Sequence, residues 1–73
     1  MGNTMVEIRV ISQNIDKTIS LLPDDALFYL INQFDKNRKW IYVNSYFEDP
    51  HQLNVNQVQS AETILVTNEL GGS

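Results

Sequence analysis

A chain of 73 residues leaves room for one domain and one small core. Nine acidic against five basic residues give a formal net charge of −4, which opposes binding to the phosphate backbone of a nucleic acid. The absence of cysteine excludes disulfides, thiolate metal sites and a cysteine nucleophile in this chain. There is no secretory signal and no apolar run long enough to span a membrane, so the expectation is a cytoplasmic protein.

From Val6 to Ile11 the residues alternate, with Val6, Ile8 and Val10 on one side and Glu7 and Arg9 on the other, the pattern of a half-buried strand. Ser12-Gln13-Asn14 supplies polar turn residues. Ile15, Ile19 and Leu21 then alternate with Asp16, Thr18 and Ser20, which predicts a second strand and a hairpin, with Lys17 in the core-side register near the exposed beginning.

Pro23-Asp24-Asp25 reads as a helix start, because proline suits the first helical position and the aspartates complement the positive end of the helix dipole. Leu27, Leu30, Ile31 and Phe34 follow at the spacing of one helix face, so this helix is expected to cover a sheet. Adjacent helical residues do not face each other, which favours capping over acid-base chemistry for Asp24 and Asp25. Asp35-Lys36-Asn37 closes the helix, with Asn37 the candidate left-handed residue. Lys36, Arg38 and Lys39 form the only basic cluster, followed at once by Trp40 and Tyr42. Such interleaving can stack single-stranded nucleic acid, yet three cations at a helix end are more simply a solvated cap on the macrodipole, and nucleic acid is not the expected partner.

Lys39 to Asn44 is rich in aromatic and β-branched residues and predicts a third strand. Both of its sides are apolar, with Ile41 and Val43 pointing one way and Trp40 and Tyr42 the other. A single helix covers only one side. Small branched residues suit the core, so Trp40 and Tyr42 are candidates for an outward binding surface; the competing reading folds Trp40 over the edge of the core. Asn44-Ser45 is a tight-turn signal into a short strand, Tyr46-Phe47. Glu48-Asp49-Pro50 breaks it. His51 to Asn56 reads as irregular, with brief strand pieces at Leu53 and Val55, and Gln57 to Glu62 as a polar turn before a final strand from Thr63 to Asn68. His51, the only histidine, has no second ligand at metal spacing and reads as a solvated loop residue. No glycine-rich phosphate loop, serine elbow or defensible carboxylate pair occurs, so the chain is expected to act by being bound or carried rather than as an enzyme.

The chain closes on Leu70-Gly71-Gly72-Ser73. Glycine lacks a Cβ, so such a tail can lie in a crevice too narrow for other residues; the alternative is a frayed end or an appended tag. A hairpin, one helix, a strand ending in Val43-Asn44, and a last strand running into Gly71-Gly72 resembles the α+β, β-grasp fold of ubiquitin and the small bacterial sulfur carriers of molybdopterin and thiamin synthesis. In those carriers a strand ends in Val-Asn-Gly, and a Leu-x-x-Gly-Asp-x-Ile pattern precedes the last strand. Val43-Asn44-Ser45 matches the first with serine for glycine, and Val58 to Ile64 echoes the second with Ala61 and Glu62 in place of Gly and Asp. Without the glycine, a different turn geometry is expected.

The resemblance implies a mixed four- to five-stranded sheet covered by one helix, a single domain over residues 1–70 and a flexible tail over 71–73. It also implies a mechanism. An E1-like enzyme, which itself binds the ATP, adenylates the Gly72 carboxylate after Ser73 is removed; Gly71 supplies reach and Leu70 anchors the tail. The resulting mixed anhydride is then attacked by sulfur or a thiolate, for sulfur transfer or conjugation. No cofactor or metal is expected on this chain. The alternative is a noncovalent β-grasp adaptor or inhibitor that binds a protein through Trp40, Tyr42 and Leu65 on an open sheet face.

Overall fold

The computed structural model describes residues 5–68. β1 (Val6–Ser12) and β2 (Ile15–Leu21) pair antiparallel as a hairpin, with Ile8 opposite Ile19 and Val10 opposite Lys17. Leu22 is extended, the conformation favoured before proline, and α1 (Pro23–Lys36) begins with Pro23 in its first turn beside Asp24 and Asp25. β3 (Trp40–Val43) and β4 (Tyr46–Phe47) form a second antiparallel pair, and β5 (Ile64–Thr67) completes the sheet.

The five strands run in the order β2-β1-β5-β3-β4. β5 lies parallel to β1 and antiparallel to β3, so the sheet is mixed and its last strand occupies the centre. A parallel pair requires a long crossover, and here the crossover contains α1, β3 and β4. The result is an α+β fold with one main helix on an open sheet.

The covered face holds the core. Ile8, Ile41 and Val66 from the three central strands are fully buried, together with Ala26 and Leu30 of the helix. Val6, Val43 and Ile64 complete the sheet side, and Leu27, Tyr29 and Phe34 close around it from α1. Fully burying each large aliphatic side chain contributes roughly 1.5–3 kcal/mol, so these few residues supply most of the fold's driving force. As expected, Ile41 and Val43 face inward.

Three local features differ from the sequence expectation. The irregular and polar-turn reading of residues 51–62 is replaced by a single 3₁₀ turn, Pro50–Gln52, and a short helix, α2 (Val55–Ser60). A capping box starts α2: the Asn54 side chain accepts from the Gln57 N–H at 2.8 Å, and Gln57 Oε1 accepts from the Asn54 N–H at 2.9 Å. Leu53 and Val58 occupy the hydrophobic-staple positions on either side of that box, and Val58 is fully buried. Secondly, the left-handed residue after α1 is Arg38, with φ of 55°, rather than Asn37, whose φ is −107°. Asn37 still forms the cap, donating its N–H to the Gln33 carbonyl. Thirdly, the β3-β4 turn keeps positive φ at both central residues, 53° at Asn44 and 74° at Ser45. That is the two-residue type I′ pattern which glycine usually serves, so serine occupies the same turn geometry rather than a different one. No helix among the described residues is long and apolar enough to cross a membrane.

Candidate protein-docking surface

Side chains alternate along each strand, so the residues between the core positions all emerge on the opposite face of the sheet. Register then aligns them in rows. Thr18, Arg9, Leu65, Tyr42 and Phe47 lie opposite one another across all five strands. One step along, Asp16, Ile11, Thr67 and Trp40 form the next row. Trp40, Tyr42 and Leu65 therefore share one face, which no element among the described residues covers, and Trp40 is not among the side chains packed against the core, so it does not fold over the core's edge.

Phe47 joins them, although the sequence reading did not include it. Its ring centroid lies 5.4 Å from Trp40 and 5.9 Å from Tyr42, both edge-on, while Trp40 and Tyr42 are 6.5 Å apart. These separations fall in the range where aromatic rings attract beyond simple burial. The signal was available: a two-residue loop at Asn44-Ser45 puts Phe47 opposite Tyr42, hence on the same face. Phe47 retains about half of its surface exposed, at 52%. A half-exposed ring on a two-residue edge strand, packed against half-buried Trp40 and Tyr42 of β3, contributes less to folding than a core residue and offers an anchor to a partner.

Beside the cluster lies an open trough of about 720 Å³, lined by Ile11, Tyr42, Leu65 and Thr67 together with Glu7 and Glu62. Arg9 also lines it, but its guanidinium grips Asp16 bidentately, at 3.1 and 2.9 Å. The hydrogen bond from Arg9 holds the Asp16 carboxyl below its ordinary value, and the same bond raises Arg9.

The turn beneath this face is pinned by one side chain. Asn44 Oδ1 accepts from the Glu62 N–H at 2.8 Å and the Thr63 N–H at 3.2 Å, and the Asn44 N–H donates to the Thr63 carbonyl at 2.8 Å. This fixes the β3-β4 hairpin against the start of β5.

His51 is solvent-exposed, as expected, but it also has a partner. Its Nε2 lies 2.8 and 3.0 Å from the two Asp35 carboxylate oxygens, and its ring meets Phe34 edge-on at 6.1 Å. The hydrogen bond to Asp35 raises the histidine above its ordinary 6.5; desolvation opposes it, and the charges of Asp35 and Asp49 add lesser contributions in the same direction as the hydrogen bond. This pair fastens the 3₁₀ turn to the end of α1, away from the open face. Among the described residues, no group of three His, Asp or Glu side chains could hold a metal ion. The tail residues Leu70, Gly71 and Gly72 lie outside the described residues. Compared with protein-family models, curated proteins and solved structures, the chain matches none.

Proposed function

We propose that this chain is a β-grasp protein that works by being recognised by a protein partner through the open face of its sheet. The observation that carries this reading is the cluster of half-buried Trp40 and Tyr42 with exposed Phe47, beside Leu65 on the face of the sheet opposite the core. Interface hot spots are enriched in such residues, and truncating one typically costs about 2 kcal/mol or more of binding. The β-grasp assignment is supported by the strand order, with a parallel first and last strand at the centre and one main helix on a single face.

A second reading, an activated ubiquitin-like carrier, is favoured by a separate observation. The two segments that carry the sequence resemblance, Val43-Asn44-Ser45 and Val58 to Ile64, meet through the hydrogen bonds of Asn44 to Glu62 and Thr63. In this reading the open face docks onto an E1-like enzyme. Leu70 and Gly71 thread the tail into that enzyme's ATP site, and the Gly72 carboxylate, freed of Ser73, is adenylated with release of pyrophosphate. Catalytic groups and ATP belong to the partner.

Two measurements separate the readings. Intact mass, recorded after incubation with host extract and ATP, shifts to a Gly72 adduct or thiocarboxylate in a carrier and stays constant in an adaptor. Deleting residues 71–73 abolishes carrier activity and leaves adaptor binding intact, whereas Trp40→Ala weakens adaptor binding most. Loss of neither function on removing Trp40 and Phe47 together would refute the open face as the docking surface.

A further inference from the structure

The charges on the open face are segregated in a way that selects a partner. Of the five basic residues in the chain, only Arg9 sits in the open-face register. It is spoken for by Asp16, whose carboxylate meets it with two hydrogen bonds. The others lie elsewhere. Lys17 pairs with Val10 in the core-side register, Lys36 and Arg38 sit at the end of α1, and Lys39 donates its Nζ to Asn68 Oδ1. The trough beside the aromatic cluster therefore carries two carboxylates, Glu7 and Glu62, both exposed, neither with a cation among its described ion pairs.

Resting on the docking reading above, we infer that the open face takes a basic segment of a protein partner, in which an aliphatic or aromatic side chain flanked by lysine or arginine seats against Tyr42, Leu65 and Phe47 while its cations meet Glu7 and Glu62. An apolar anchor supplies the affinity of such a contact, and the complementary rim speeds encounter and rejects acidic partners. The chain's net charge of −4 acts in the same direction at longer range. Nucleic acid and anionic membrane surfaces are disfavoured by the same charges.

The test uses the full chain and a displayed library of random peptides as the probe. Trp40 is the only tryptophan, so its emission reports an occupant on this face directly. Enriched peptides are expected to carry lysine or arginine around an apolar residue and to shift Trp40 emission. Their affinity should fall at least about tenfold in the Glu7→Lys/Glu62→Lys variant, and fall as salt is raised. Should the reversal variant fail to fold by circular dichroism, Glu7→Gln/Glu62→Gln replaces it, with a smaller loss in the same direction. Acidic or uncharged peptides that shift Trp40 emission and lose affinity in Phe47→Ala would leave the docking surface standing and overturn the basic partner. So would basic peptides that bind the charge variants undiminished. Peptides that leave Trp40 emission unchanged, or no enrichment at all, would overturn both.

Discussion

The two faces of one sheet are built from different residue types, and the difference separates stability from recognition. On the covered face, Ile8, Ile41 and Val66 are branched aliphatics with no accessible surface. On the open face the same strands place Arg9, Tyr42 and Leu65, half-buried or exposed, alongside Trp40 and Phe47. β3 shows the contrast within four residues, since Ile41 and Val43 are buried while Trp40 and Tyr42 are not. Compact aliphatic side chains pack a small interior at high density, whereas broad aromatic rings present area at little cost in rotamer entropy.

The sharpest way to break this contrast is to remove one residue from each face. Leu30→Ala, which empties the centre of the helix-sheet contact, should lower unfolding free energy by roughly 2–5 kcal/mol in urea titration, enough to threaten the fold of so small a domain. Phe47→Ala should lower it by only about 1 kcal/mol, because the ring is half exposed and contributes mainly its contacts with Trp40 and Tyr42. If the Phe47 variant loses as much as the Leu30 variant, the open-face aromatics are a second core and the division fails.

A smaller effect tests the turn that orients the aromatic cluster. Ser45 stands at φ of 74°, where a Cβ costs about 1–2 kcal/mol. Ser45→Gly should therefore raise the urea midpoint by an amount corresponding to about 1 kcal/mol, offset in part by the greater freedom of glycine in the unfolded chain. The smallest effect is electrostatic. Because Asp35 raises His51 above 6.5 in the folded state, the pair's contribution is fully present below that value and is lost as pH rises through the folded value. Stability of the parent should decline over that interval relative to His51→Gln; parallel curves would show that the exposed pair contributes nothing measurable.

The central strands and α1 were legible because their periodicity is clean and each has one apolar side or stripe. Residues 51–62 were not, because Leu53 and Val55 mimic strand alternation. The signal that decides the matter is the Asn54 to Gln57 capping box, read only by asking where the first helical N–H groups find acceptors. The left-handed position falls one residue later than expected, on Arg38, and the N–H groups of Asn37 and Lys39 on either side of it both donate to the Gln33 carbonyl, at 3.1 and 3.0 Å. Of the candidate surface, Trp40, Tyr42 and Leu65 followed from alternation alone. Phe47 needed the register of the hairpin, and His51 needed the approach of α1, which no local pattern encodes.

The position of β5 carries a consequence for synthesis. Residues 64–67 fill the slot between β1 and β3, so the hairpin β1-β2 and the hairpin β3-β4 share no edge until that strand is inserted. A nascent chain emerging from the ribosome can form local turns and α1, but it cannot close the sheet before Thr67 is free. Until then both hairpins display unpaired backbone edges, and the interval between emergence and insertion is when this protein is most open to chaperones, proteases and aggregation.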